Sequence, residues 1–191
     1  MSGATTMQHD VPAAPVAEKA IFRVHIEAPI ERVWDTLVRT DEVLPFFFGS
    51  VCRTPTGRLQ IGTPMAMRSP DDKYTAVVGK VLAFEPPYRY SHTLIFTQFS
   101  DQPATVTYEL RDVGGSTEFT LTQTNVPAGS KTEKSMNQGG TLIVNTLKGM
   151  AETGKAPFST RMILALIGLL RPLTPRACRS EHWSFERIEK L

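Results

Sequence analysis

Alternating apolar and polar residues predict strands over most of the first two thirds of the chain. In residues 20–28, Phe22, Val24 and Ile26 share one face, which is typical of a half-buried strand. Gly114-Gly115 is a tight hairpin signal between two further alternating stretches. We expect the later strands at residues 50–53, 65–68, 74–85, 88–99, 104–113 and 117–124, with a hairpin turn at 69–72. Because short turns join successive strands, the pattern favours an antiparallel sheet.

Helical spacing after the first strand predicts two short helices. Pro29 suits the first position of a helix, where no backbone N–H is needed, and apolar residues recur at helical spacing through residues 30–38. We expect Asp41 to cap a second short helix that ends near Phe46. The three consecutive aromatics at 46–48 cannot all face one core. At least one is expected to be partly exposed or to line a cavity mouth, the alternative being packing under the next strand.

The longest helical pattern covers residues 130–154. Ser130 and Glu133 have the spacing of a capping box, and Gly154 stands where a left-handed C-cap belongs. The adjacent Gly139 and Gly140 each cost about 1 kcal/mol relative to alanine inside a helix. We favour a regular helix that begins after the glycines, with the capping box closing a short preceding turn. The alternative is that the missing side chains leave room for a ligand or a close backbone.

A meander of about six or seven strands around one long helix predicts an α+β fold rather than a parallel α/β fold. The 191 residues are enough for one domain with a sizeable core. We expect a disordered N-terminal tail at residues 1–19, a folded domain at 20–155 and a helical C-terminal extension at 156–191.

Charge and cysteine content narrow the function classes. A formal net charge of +2 is too small to favour nucleic-acid binding. Cys52 and Cys178 lie far apart in the sequence, and no cluster has metal-ligand spacing, so neither a disulfide framework, a metal nor a cofactor is expected. The N-terminus lacks the basic and apolar regions of a signal peptide, and no apolar run approaches the roughly 20 residues that span a bilayer. A cytoplasmic location is therefore the expectation.

The order of several motifs resembles START-like proteins of the SRPBCC superfamily. Residues 26–34, IEAPIERVW, are similar to the opening signature of these proteins. Further similarities, to the central hairpin and the last two strands, lie at residues 79–81, 85–90, 106–110, 114–115 and 117–123. The resemblance covers about residues 21–154 and is nearest to the branch related to the activator of a heat-shock-chaperone ATPase.

This resemblance implies a helix-grip fold, in which a curved antiparallel sheet wraps around the long C-terminal helix and leaves an apolar cavity. Members of the superfamily bind lipids, polyketides or other hydrophobic small molecules, and some are cyclases, aromatases or co-chaperones. Two positions on the expected cavity wall differ from the pattern of the superfamily. Gly139-Gly140 stands where the family often has Gly-Trp, and Gln123 stands where many relatives have His. The expected apolar lining residues are Phe48, Met65, Met67, Val81, Leu94, Phe119, Leu121, Ile143 and Leu147.

Three polar side chains are candidates for chemistry or ligand orientation. By alternation His92 shares a face with Tyr90 and Leu94, and the resemblance makes this the cavity face. His92 is either an acid or base at neutral pH or a structural histidine held by one hydrogen bond. Tyr108 and Gln123 face the same space if their strands are in register, where they either orient a ligand oxygen or form a wet rim.

The C-terminal extension contains a nine-residue apolar run at 162–170, followed by Arg171-Pro172. From residue 155 to the end there are seven Lys and Arg and three Asp and Glu, a local net charge of +4. The run can lie at a membrane surface, pack on a second subunit in a homodimer, or cover its own sheet. We favour packing on protein. The extension also resembles those of some bacterial members of the superfamily, which implies a built-in element rather than a targeting signal.

The first functional expectation is binding or transport of a hydrophobic small molecule, such as a lipid, a polyketide or an aromatic compound. The alternatives are an enzyme of the polyketide cyclase or dehydratase type that uses His92 or Tyr108, and a co-chaperone-like interaction module. The sequence leaves open the ligand, any catalysis, the oligomeric state and the role of residues 162–170.

Overall fold

Pairing between consecutive strands builds one antiparallel sheet in the computed structural model, which describes residues 15–191. The strands are β1 Ala20–Ile26, β2 Val43–Leu44, β3 Ser50–Arg53, β4 Pro64–Arg68, β5 Thr75–Glu85, β6 Arg89–Phe96, β7 Ala104–Val113 and β8 Ser116–Thr124. The strand order in the sheet is β1-β8-β7-β6-β5-β4-β3-β2, so the first strand pairs with the last. The helices are α1 Ile30–Leu37, α2 Lys131–Thr153, α3 Phe158–Leu170 and α4 Phe185–Ile188. The predicted α+β class and curved antiparallel sheet are confirmed.

Register places the candidate polar residues on one face of the sheet. Tyr90 of β6 is paired with Tyr108 of β7, and Val106 of β7 is paired with Gln123 of β8. Because side chains two residues apart in a strand point to the same side, Tyr108 and Gln123 project towards the same face. The strands are therefore in the register that was required for Tyr108 and Gln123 to face the same space.

Helix α2 is a single continuous helix from Lys131 to Thr153, so the favoured interpretation of a start after the glycines was wrong. The Ser130 hydroxyl accepts the Glu133 backbone N–H at 3.0 Å, which satisfies one free donor at the helix start. Gly154 ends the helix with φ of 74°, a conformation that glycine adopts without a side-chain clash. The capping box therefore starts the full helix, and the energetic cost of the two interior glycines is offset by tertiary packing.

The predicted second short helix was also wrong. Residues 43–47 form β2 followed by one 3₁₀ turn, Pro45–Phe47. Val43 and Leu44 pair with Val51 and Ser50 of β3, and backbone groups engaged in this pairing cannot form helical hydrogen bonds. The short β2 strand raises the strand count to eight, above the six or seven expected.

Segments outside the predicted central domain are attached to it. Before β1, the Ala17 backbone N–H donates to the Val126 carbonyl at 2.7 Å, so the described end of the expected tail lies along the loop before α2. After α3, the chain reaches the outer face of the sheet, where Ile188 packs with Ala66 and Val78. Residues 1–14 of the expected disordered tail lie outside the described residues.

Across residues 15–191, no single helix is both long and apolar enough to cross a bilayer. Helix α2 and the segment Phe158–Leu173 meet that criterion only as a pair, with a bend of 119° between them.

Candidate functional site

A cavity of about 420 Å³ lies between the sheet, α2 and the C-terminal extension. This volume is within the range of about 300–1,000 Å³ that is typical of small-molecule sites. Buried apolar side chains form its inner wall, namely Val77, Leu94, Val106, Leu121, Met136 and Ile143. Exposed residues form its rim, including Phe48, Gln98, Ile167 and Leu170. The arrangement is an apolar pocket whose mouth is bordered by α3.

The glycine pair in α2 serves two different contacts. Gly139 lines the cavity, and a Cβ atom there would lie 3.3 Å from Cζ of Phe48 at the rim. A Cβ atom on Gly140 would lie 2.4 Å from two ring carbons of Phe22 in β1. Gly140 therefore lets the Phe22 ring pack directly on the helix. The missing side chains make room for aromatic rings rather than for a close backbone.

Gln123 is a buried polar residue on this wall. Its side chain is only 3% exposed, and its Nε2 donates to the carbonyl of Met136 in α2 at 3.1 Å. Within residues 15–191 its Oε1 has no hydrogen-bond partner. Leaving a buried acceptor unsatisfied costs about 1–3 kcal/mol.

Tyr108 belongs to a column of rings on the same face. Its ring stacks on Tyr90 at a centroid distance of 5.5 Å and on Phe119 at 6.0 Å. Burial, with a smaller contribution from the nearby Cys52 thiol, raises the pKa of Tyr108 above its ordinary value of 10. The hydroxyl is therefore protonated at neutral pH and can act as a hydrogen-bond donor.

His92 lies away from the large cavity. It is fully buried and lines a second, much smaller cavity of about 10 Å³, to which Tyr108 also contributes. Its Nδ1 lies 2.8 Å from the Thr93 carbonyl, which can only accept, so Nδ1 carries the proton. Burial lowers the pKa of His92 to about 4, partly opposed by this hydrogen bond. A neutral histidine at this depth fits the structural alternative better than acid or base catalysis, which favours a pKa near the working pH.

Half of the residues expected at the site lie on the large cavity, namely Phe48, Leu94, Tyr108, Leu121, Gln123 and Ile143. His92 and Met67 line the small cavity instead. The other four, Met65, Val81, Phe119 and Leu147, belong to the packed core and are at most 1% exposed. Strand alternation assigned the sheet residues to a face, but other parts of that face are filled by packed side chains. The cavity occupies only part of the space between sheet and helix.

The contribution of the C-terminal extension to this cavity was not predicted from the sequence. Ile167, Leu170 and Arg171 lie on its rim. The apolar run at 162–170 was the available signal, but only the folded chain shows that it lies beside the cavity. No group of three or more His, Cys, Asp or Glu side chains within residues 15–191 is arranged to hold a metal ion.

Helix-grip proteins of the SRPBCC superfamily have a curved antiparallel sheet, a long helix packed against it and a cavity between the two. This chain has the same arrangement. The sequence model of the family "Activator of Hsp90 ATPase homolog 1-like protein" matches residues 27–152, and the chain belongs to this family. The suspected branch of the superfamily is therefore confirmed. Among curated proteins, no sequence matches this chain.

Solved structures with this fold are similar in shape but distant in sequence. CalU16 from Micromonospora echinospora is 18% identical with a TM-score of 0.55, over 78% of this chain and 83% of its own. An HSP90 activator from Plasmodium falciparum is 18% identical with a TM-score of 0.55, over 70% of this chain and 94% of its own. The Aha1 dimer from Colwellia psychrerythraea is 15% identical with a TM-score of 0.58, over 73% of this chain and 100% of its own.

Proposed function

We propose that the protein binds a hydrophobic small molecule that carries a hydroxyl or N–H group, in the cavity between the sheet and α2. The observation that carries this proposal is buried Gln123 on the wall of the 420 Å³ cavity, whose Oε1 has no hydrogen-bond partner within residues 15–191. The apolar wall supplies the driving force, at about 25 cal/mol per Å² of buried apolar surface before the costs of association. The polar group supplies selectivity.

Ligand selectivity follows from the donor and acceptor types on the wall. The Gln123 oxygen accepts a hydrogen bond and the Tyr108 hydroxyl can donate one, so a phenol or alcohol can satisfy both. A ligand of the same shape without a polar group leaves Oε1 unsatisfied. The difference of about 1–3 kcal/mol corresponds to a preference of about fivefold to about 150-fold for the polar ligand.

A matched ligand pair tests this selectivity. 2-Naphthol and 2-methylnaphthalene have nearly the same shape and differ in one hydroxyl against one methyl group. Affinities are measured by displacement of a fluorescent apolar probe from the purified protein. We expect 2-naphthol to bind about tenfold more tightly to the natural protein, and Gln123→Leu to bring the two affinities within about threefold.

The control is Gln102→Leu, which removes an exposed glutamine and should leave the preference unchanged. Displacement by neither ligand would argue against a binding cavity of this kind. Displacement by both with equal affinity in the natural protein would keep the cavity but overturn the role of Gln123.

The chaperone alternative has support from the comparisons, because the matched family and the Plasmodium falciparum relative are named as HSP90 activators. A second candidate function is therefore stimulation of a chaperone ATPase. It predicts a rise in ATP hydrolysis when the protein is added to an HSP90, with no dependence on Gln123. An unchanged rate at micromolar concentrations of both proteins would count against it.

A further inference from the structure

Helix α3 carries an apolar face that points to solvent. Phe158, Met162, Leu166 and Leu169 recur at steps of four, four and three, and they are 73%, 58%, 56% and 76% exposed. Such spacing places them in one stripe along the helix. Thr160 is the only buried residue of the helix. An exposed apolar stripe of this length on a folded protein marks a contact surface.

The opposite side of α3 fixes the direction of that stripe. The hydroxyls of Thr160 and Thr146 lie 2.8 Å apart and hydrogen-bond to each other, which ties α3 to α2. Leu164 sits against Gly49, with its Cδ2 3.3 Å from the position of a Cβ atom there. Ile167 lines the cavity. Because these inward contacts use one side of the helix, the stripe is turned away from the protein.

The charged residues of the segment that carries the stripe have one sign, although Arg179 at its end pairs with Glu181 at 3.6 Å. Residues 155–180 contain five Lys and Arg and no Asp or Glu. These cations are Lys155, Arg161, Arg171, Arg176 and Arg179. In a symmetric dimer formed through this face, two such basic segments would meet and repel each other. A negatively charged surface with an apolar interior satisfies both the stripe and the cations, and a bilayer with anionic headgroups has these two properties.

We propose that α3 is a docking element for anionic lipid membranes. Its outward stripe enters the boundary between headgroups and acyl chains, and the flanking basic residues bind the headgroups. The helix has 13 residues and is about 20 Å long, shorter than the roughly 30 Å hydrocarbon core, so it lies on the bilayer and does not cross it. Because Ile167 and Leu170 line the rim, docking brings the cavity mouth to the bilayer, a natural store of hydrophobic ligands.

This inference extends the proposed function but is tested without any ligand. Flotation of the full chain is measured with vesicles of phosphatidylcholine alone and with vesicles that contain about 30% phosphatidylglycerol. We expect about tenfold or more binding to the anionic vesicles over the neutral ones at low salt, falling as salt rises. Leu173, in the turn that follows α3, is 78% exposed and extends the apolar surface of the stripe. The double variant Leu169→Gln/Leu173→Gln should lower anionic binding by about tenfold or more, since both side chains leave the apolar phase.

Two matched variants separate this effect from unfolding and from general surface change. Ile61→Gln/Tyr88→Gln replaces two exposed apolar residues that lie outside α3 and the 3₁₀ turn it contacts, and should not alter vesicle binding. Arg161→Gln/Arg176→Gln keeps the apolar stripe and should lower binding to anionic vesicles by about tenfold. Thermal melts of all variants should match the natural protein, because the replaced side chains are exposed or half-exposed.

Sedimentation velocity on the same samples tests whether the stripe forms a dimer instead. Failure of the natural protein to float with anionic vesicles overturns the proposal, and so does equal flotation of the Leu169→Gln/Leu173→Gln variant. A dimer that this variant disrupts, with no vesicle binding, assigns the stripe to a second copy of the chain instead. Ligand displacement by 2-naphthol is independent of all these results, so loss of membrane binding leaves the proposed function standing.

Discussion

The burial of a single histidine sets part of the pH dependence of stability. His92 titrates near pH 6.5 in the unfolded chain, but burial lowers its pKa to about 4 in the fold. Between these values the unfolded state binds a proton that the native state does not bind, so stability falls as pH drops below 6.5. At about 1.4 kcal/mol per pKa unit, the free energy of unfolding is lower by about 3 kcal/mol at pH 4 than above pH 6.5.

Urea denaturation at pH 7, 6, 5.5 and 5 measures this loss. We expect His92→Phe to flatten the decline over this interval, because the ring no longer titrates, whatever its effect on stability at pH 7. The control is Gln102→Leu, which alters an exposed residue that does not titrate and should leave the slope as it is. The same slope in His92→Phe and in the natural protein would show that His92 is not the group responsible.

The same residue shows why the sequence could not tell which residues of one sheet face line the cavity. Alternation in β6 assigns Tyr90, His92 and Leu94 to one face, and all three are buried there. Leu94 lines the large cavity, whereas His92 lies beside the small cavity and next to Tyr90 and Tyr108. Period-two patterning fixes the face of a side chain but not what covers it, because the covering groups come from distant parts of the chain.

At the scale of elements, the adjacent glycines of α2 give opposite predictions for the same substitution. Gly140→Ala places a methyl group 2.4 Å from the Phe22 ring, and such overpacking costs about 1–3 kcal/mol, more than the gain of about 1 kcal/mol in helix propensity. Gly139→Ala meets only the ring of the partly exposed Phe48, with Cζ at 3.3 Å and Cε2 at 3.6 Å, so this ring can move. We expect the first variant to be destabilised and the second to be as stable as the natural protein or up to about 1 kcal/mol more stable.

Chemical denaturation of both variants, with Phe22→Leu alone and combined with Gly140→Ala, completes the comparison. The smaller leucine side chain at position 22 should recover most of the cost of the alanine at 140, which gives a measurable coupling energy. Equal stability of the two alanine variants, or no coupling with Phe22, would contradict the contacts assigned to the glycines.

Elements were predictable from sequence where local signals agreed with the tertiary structure. Strands β3, β7 and β8 and the ends of α2 lie at or within one residue of the expected positions, since alternation, turn glycines and the capping box all act locally. The short β2 strand was missed because two residues carry no period, and its pairing with β3 decided its structure. The continuity of α2 through its glycines was likewise decided by Phe22, more than 100 residues earlier in the chain.

At the scale of the whole molecule, the central domain holds its core without the extension. Every residue of the main core cluster lies between Ile26 and Ala151. The extension adds two separate contacts: α3 borders the cavity mouth, and the C-terminal segment packs on the outer face of the sheet. On that face, the Ser180 hydroxyl lies 2.9 Å from the Thr75 hydroxyl, and the Ser180 backbone N–H donates to the carbonyl of Lys73 at 3.0 Å.

Two truncations separate these contributions. A chain of residues 1–179 loses Ile188, which covers Val78, but keeps α3. We therefore expect it to fold with a free energy of unfolding lower by about 2–5 kcal/mol and to bind anionic vesicles normally.

A chain of residues 1–155 should also unfold cooperatively, because the core cluster is complete, but it should lose vesicle binding. Its affinity for 2-naphthol should fall only several-fold, since Gln123 remains and Ile167 and Leu170 are missing from the rim. If the shorter chain fails to fold, the extension is part of the domain rather than an addition to it; if it folds and still floats with vesicles, α3 is not the membrane contact.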